Sequence, residues 1–281
     1  MTNSANTAAV RTWFITGATS GIGRELTALA LGRGDNVAAA ARKADQIRDL
    51  AERHPGKLIA IDTDVRDEAS VRAAVDRAAA AFGRIDVVAN NAGYGLFGAV
   101  EEASDVQARA LFDTNVFGVL NVLRATLPVL RQQSSGHVLQ GSSLYGQTAH
   151  PGVGLLAASK YAVEGLTDAL VAELAPLGIK VTLIQPGPTS TAFLSNLDLA
   201  DAIPSYDETV RTTQKAISEL PPTAFSTPVR VAEGILAAVD AETPPLRLAL
   251  GTSSAADMRT ALHARLAELD RWADVSNAVD R

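Results

Sequence analysis

The sequence predicts a single α/β domain built on a doubly wound, mostly parallel sheet, and three observations carry that prediction. Short apolar or β-branched runs alternate with longer alanine- and leucine-rich stretches of helical period. That order produces right-handed β-α crossovers. Most of the short runs are continuously apolar, as strands covered on both faces must be. A glycine-rich turn separates the first such run from the first helical stretch, the place where open α/β sheets bind phosphate groups.

Strands are expected at residues 10–16, 36–41, 57–61, 85–89, 137–141 and 180–185. Between them, helical period marks residues 21–33, 68–82, 113–131 and 154–177. After residue 185 the rhythm breaks. Pro188, Pro204, Pro221 and Pro222 interrupt the chain, with one helix expected near 208–220. A long irregular insertion in a compact domain is more often a functional lid than a linker, so residues 188–225 are read as a substrate lid. A helix at 229–240, a strand at 246–250 and an amphipathic helix at 254–272 complete the pattern. No internal repeat or second domain is visible, and residues 1–281 are read as one domain.

Composition narrows the function classes. With 281 residues, 47% hydrophobic and 20% charged, the chain has the balance of a soluble protein with a sizeable core. A net charge of −6 is opposite to the basic surface that nucleic acid requires. The absence of cysteine excludes disulfides, Fe–S clusters and thiolate zinc sites, and suits a reducing cytoplasm. His54, His137 and His263 lack metal-ligand spacing, so no metal is expected. No run approaches the roughly 20 apolar residues that span a bilayer. Residues 1–9 are polar, without the order of a signal peptide, and are read as a short frayed leader.

The turn itself reads Thr16-Gly17-Ala18-Thr19-Ser20-Gly21-Ile22-Gly23. Gly17, Gly21 and Gly23 permit a tight turn and let the backbone approach a pyrophosphate, which a helix N-terminus then stabilises. A plain structural turn is the alternative; a strand before it and a helix after it favour dinucleotide binding.

The spacing T-G-x-x-x-G-x-G resembles the short-chain dehydrogenase/reductase family, and the resemblance extends over most of the chain. Asp64-Val65 is similar to the family's adenine-contacting pair, and Asn90-Asn91-Ala92-Gly93 to its N-N-A-G motif. Gly141-Ser142-Ser143-Leu144-Tyr145-Gly146 resembles the serine motif, and Pro186-Gly187 with Thr191 resembles P-G-x-x-x-T. The resemblance implies a Rossmann-like fold and a nicotinamide dinucleotide. Its contacts would be Gly17, Thr19, Ser20, Gly21, Ile22, Gly23, Asp64, Val65, Asn91, Ala92, Gly93, Lys160, Pro186, Gly187 and Thr191. NAD-preferring relatives usually place an acid at the end of the second strand. Here Ala41 is followed by Arg42. A guanidinium binds a 2′-phosphate that an acid would repel. The alternative is that Arg42 and Lys43 decorate a solvated helix start. NADP(H) is favoured over NAD(H).

Similarity to the family also implies four catalytic roles. A serine steadies the substrate oxygen and a tyrosine transfers the proton. A lysine binds the nicotinamide ribose and lowers the tyrosine's pKa, while an asparagine helps hold a water. Lys160 and Asn115 match the last two, and Ser143 fits the serine better than Ser142 by its spacing to position 156. The tyrosine position, one helical turn before Lys160, is Leu156. Leucine cannot exchange a proton. Tyr161 adjoins Lys160 in sequence, about 100° around the helix, and reads as a packing residue. Tyr145, Tyr94 and His150 are the remaining candidates, each with an alternative reading as pocket wall; Tyr145 and His150 are preferred. Glu164 and Glu173 are expected to be solvated or interfacial. Asp62 is expected to be exposed at a strand end.

Three readings compete: an NADP(H)-dependent oxidoreductase of alcohols or carbonyls with an altered proton donor, a redox-neutral enzyme on the same scaffold, and a noncatalytic NADP(H)-binding protein. Leu155, Leu156, Phe193, Leu194 and Leu197 would line an apolar pocket, so a hydrophobic small molecule is expected as substrate. The family commonly assembles through its long helices, so a homodimer or homotetramer is expected.

Overall fold

Trp13, Phe14 and Ile15 lie fully buried side by side at the centre of β1 (Thr12–Thr16). Consecutive buried residues on a strand require cover on both faces. The computed structural model, which describes residues 10–194 and 196–280, supplies that cover. The leader expected at residues 1–9 lies outside the described residues.

From β1 the chain runs through α1 (Gly21–Gly32), β2 (Asn36–Ala41), α2 (Arg48–Arg53), β3 (Leu58–Asp62), α3 (Glu68–Phe82) and β4 (Val87–Asn90). Then follow β5 (Leu96–Phe97), α4 (Asp105–Phe112), α5 (Gly118–Gln133), β6 (Gly136–Gly141), α6 (Gly154–Leu174) and β7 (Ile179–Pro186). The last elements are β8 (Asp198–Leu199), α7 (Thr212–Ser218), α8 (Pro228–Asp240), β9 (Arg247–Leu250), α9 (Thr252–Arg271) and α10 (Ala273–Ala278). Seven strands form one parallel sheet in the order β3-β2-β1-β4-β6-β7-β9. Phe14 points into a layer with Val71, Val122 and Val163, while Trp13 and Ile15 point into another with Leu26 and Ile235. Strand order reverses between β1 and β4, and at such a switch point the C-terminal strand ends open a crevice.

Several expected boundaries move. The helix expected at 113–131 begins as a π turn, Asp113–Phe117, that joins α4 to α5. The sequence reading missed α4 although its signal is present: Ser104 and Gln107 form a reciprocal capping box. The helix expected at 154–177 ends at Leu174, because Pro176 sits in the 3-10 turn Ala175–Leu177 that Gly178 closes at φ 71°.

The lid is less irregular than expected. β8 pairs with β5, and the buried Glu102 accepts the Ala99 and Ile203 amides at 2.7 and 2.8 Å and the Arg211 guanidinium at 2.5 Å. These contacts pin the lid to the segment after β4. Among the described residues, no helix is long and apolar enough to cross a membrane.

Candidate active site

The switch-point crevice is floored by two laced turns. Gly17 and Gly21 have φ of 65° and 51°, in the left-handed region that glycine tolerates. A Cβ on Gly23 would stand 2.5 Å from Asn91 Nδ2 and closer still to the Gly17 carbonyl, so only glycine fits. Asn91 Nδ2 donates to the carbonyls of Thr16 and Gly17 at 3.1 and 3.3 Å. The Thr16 hydroxyl accepts the amides of Asn91 and Ala92, both at 3.0 Å. Ser20, the N-cap of α1, makes no side-chain cap, so the first N–H groups of the helix keep the free donors that an anion takes. Thr191, at the start of the lid, stands 3.3 Å from where a Gly21 Cβ would lie. A bare backbone cradle ending in free N–H donors fits the diphosphate of a dinucleotide.

At the outer end of the cradle Arg42 is exposed, with no hydrogen bond or ion pair to the described residues. Asp62 is not merely exposed, because its carboxylate accepts the Ala44 amide at 2.9 Å and fixes the turn after β2. Asp64 is gripped by Arg66 at 2.6 Å, and that hydrogen-bonded guanidinium holds its carboxyl below the usual range. Val65 is buried, and its carbonyl accepts the Asn121 side chain at 2.9 Å.

The residues expected to act chemically gather at the ends of β4 and β6. Lys160 Nζ donates to the Gly141 carbonyl at 2.8 Å, and burial lowers its pKa to about 8. A Cβ on Gly93 would lie 3.0 Å from Asn115 Oδ1 and 3.7 Å from Lys160 Nζ, so all three meet. The π turn presents Asn115 inward. It donates to the Tyr94 carbonyl and to Ser159 Oγ at 3.0 and 3.1 Å, and accepts the Tyr94 amide at 3.1 Å. Ser143 Oγ accepts the Tyr145 amide at 3.2 Å.

Ser142, by contrast, is buried and donates to Glu164 at 2.5 Å. Glu164 overturns its expected place at the surface. It is 4% exposed and also accepts Gln185, Gln147 and Arg247 at 2.8, 2.9 and 2.9 Å.

Leu156 is 3% exposed and packs in a cluster with Phe97, Ala99, Val153 and Val210, against which Tyr145, Leu197, Tyr206 and Ile217 lie. Residues 188–225 thus contribute Leu197, Tyr206, Val210 and Ile217 to this apolar cluster. Phe193 and Leu194 are 40% and 43% exposed. Phe193 and Leu197 lean over Gly95. The Tyr145 ring meets the His150 ring edge-on at 5.4 Å. Pro186 and Gly187 are tied to β9, with the Gly187 amide donating to the Leu250 carbonyl at 3.0 Å.

α9 reaches the same region. Arg265 donates to the Gln147 carbonyl at 2.6 Å and lies over the Tyr161 ring at 5.1 Å. Tyr161 is therefore a docking face for the chain end.

The family described as short chain dehydrogenase matches residues 11–201. Oxidoreductase BOA17 of Botryotinia fuckeliana is 35% identical over 268 residues, covering 95% of this chain and 98% of its own. A short-chain dehydrogenase from Streptomyces avermitilis superposes with a TM-score of 0.90 at 35% identity, over 97% of this chain and 100% of that one. A Burkholderia phymatum short-chain dehydrogenase/reductase in complex with NAD gives 0.78 at 25% identity, over 89% and 92%. A Burkholderia cenocepacia short-chain dehydrogenase in complex with NADP gives 0.74 at 26%, over 93% and 97%. By sequence and fold, the chain belongs to the short-chain dehydrogenase family, with a scaffold of the oxidoreductase type.

Proposed function

We propose that this protein is an NADP(H)-dependent oxidoreductase of a medium-sized apolar alcohol or carbonyl compound, working without a tyrosine one turn before its lysine. The observation that carries the reading is the convergence of Gly93, Asn115 and Lys160 beside a glycine cradle. The two Burkholderia structures with NAD and NADP support a nicotinamide cofactor. Such a cofactor supplies two electrons with a hydrogen. Gly17, Thr19, Ser20, Gly21, Ile22 and Gly23 would hold its diphosphate, and Lys160 its nicotinamide ribose. The exposed guanidinium of Arg42 beyond Ala41 favours a 2′-phosphate over a bare ribose.

Ser143 would steady the substrate oxygen, and the cluster around Leu156 would exclude water from it. The absence of cysteine suits a cytoplasmic setting. The test is loss of NADPH absorbance with cyclohexanone, acetophenone and benzaldehyde, beside direct titration of NADPH and NADH. Tight NADPH binding with no turnover on this panel counts against the redox reading.

Leu156 favours a second reading, a redox-neutral enzyme on the same scaffold, because general acid–base catalysis worth about 10²–10⁴-fold has lost its usual donor. Product formation that leaves NADPH unconsumed would select it.

A further inference from the structure

Resting on the oxidoreductase reading, we propose that Tyr145 donates the proton to the substrate oxygen, serving from the serine turn in place of Leu156. Tyr145 sits on the 3-10 turn Leu144–Gly146, and its amide is hydrogen-bonded to Ser143 Oγ. Its ring packs on the cluster that contains Leu156, but reaches it from the end of β6 instead of from α6. Its hydroxyl hydrogen-bonds to none of the described residues. Tyr145 is half-buried, with its hydroxyl left open, so the phenol can turn to a substrate oxygen held at Ser143.

Two of the other tyrosines have contacts of their own. The Tyr206 hydroxyl donates to Glu101. Tyr161 lies under Arg265. Tyr94 stands in the loop after β4, where its amide and carbonyl are hydrogen-bonded to the Asn115 side chain.

Two titratable groups face the Tyr145 phenol: His150 edge-on, and Asp257 from α9. Burial, and secondarily Asp257, raises its pKa and keeps it protonated at neutral pH. A donor in the reducing direction needs that state. A bound reduced nicotinamide would supply two electrons and a hydrogen to the carbonyl carbon, and the C=O π pair would move to oxygen. That oxygen takes the Tyr145 proton. The phenolate would regain a proton from solvent.

The experiment follows tyrosinate absorbance against pH with and without NADP+. Subtracting the Tyr145→Phe trace isolates one of the four tyrosines. NADP+ is expected to lower its midpoint by about one pH unit, since a positive nicotinamide beside the phenol favours the phenolate. The same variant keeps the ring, and should lose about 100-fold in kcat on the best panel compound while binding NADPH unchanged. A midpoint that stays or rises on NADP+ binding overturns the assignment, as does an unchanged kcat. If NADP+ and NAD+ both fail to bind, the oxidoreductase reading falls and the proposal with it. If NADP+ binds without moving the phenol, only the role of Tyr145 falls.

Discussion

The Ser142 hydroxyl donates to the Glu164 carboxylate at 2.5 Å, deep beneath the serine turn. Glu164 also gathers Gln147, Gln185 and Arg247, so one buried charge ties α6 to β7, β9 and the turn that carries Ser143. Glu164→Gln keeps the shape but replaces one acceptor oxygen with a donor amide facing other donors. Breaking a buried charge network in this way costs about 3 kcal/mol. Urea unfolding should show that loss, and an unchanged midpoint would refute the hub.

Leu156→Tyr restores a phenol four residues before Lys160 on one helical face. Its larger ring enters a filled cluster, so stability should fall by about 1–3 kcal/mol. On the oxidoreductase reading, carbonyl reduction should be retained or increased, and the double variant with Tyr145→Phe should recover at least 100-fold over Tyr145→Phe alone, roughly what a general acid contributes. Steady-state NADPH oxidation by the four proteins checks this. A double variant as slow as Tyr145→Phe would show that the pocket has been remodelled for other chemistry.

Arg42 bears on the choice of cofactor. Arg42→Ala should weaken NADPH binding by about 10–100-fold, the loss of a hydrogen bond to a charged group, and leave NADH binding unchanged. Calorimetric titration of both nucleotides decides it. Equal effects on the two would remove the argument for NADP(H).

His137 gives the protein an acid-sensitive point far from the crevice. It is 5% exposed, contacts Thr182 at 2.9 Å, and is lowered from an ordinary 6.5 to about 4, by burial first and then by Lys180 and Arg11. Between those values the unfolded chain binds a proton that the folded chain refuses, so stability rises with pH there. It is lost as pH falls from about 6.5 to about 4, by up to about 3 kcal/mol. His137→Gln should flatten that limb in urea midpoints measured across the window. An equally steep limb in the variant would assign the acid sensitivity elsewhere.

The sheet was legible because its strands are nearly continuous apolar runs, and a run such as Trp13-Phe14-Ile15 has few alternatives. The cradle was legible because Gly23 answers a steric demand that sequence spacing displays. Glu164 was not. A glutamate on an amphipathic helix normally faces water, and its partners come from residues 142, 147, 185 and 247, which only tertiary structure unites. The ordered lid escaped for a similar reason. β5 and β8 are two residues each and pair across the chain, and Glu102 meets Arg211 from 109 positions away.

The family match ends at residue 201, yet Arg265 grips the carbonyl of Gln147 and the face of Tyr161 from well beyond it. The serine turn is thus held from below by Glu164, inside the matched span, and from outside by the chain end. Inheritance can act on these two supports separately. Changes in α9 can shift the outer support of the serine turn while the glycine cradle, built wholly from earlier residues, passes on unaltered.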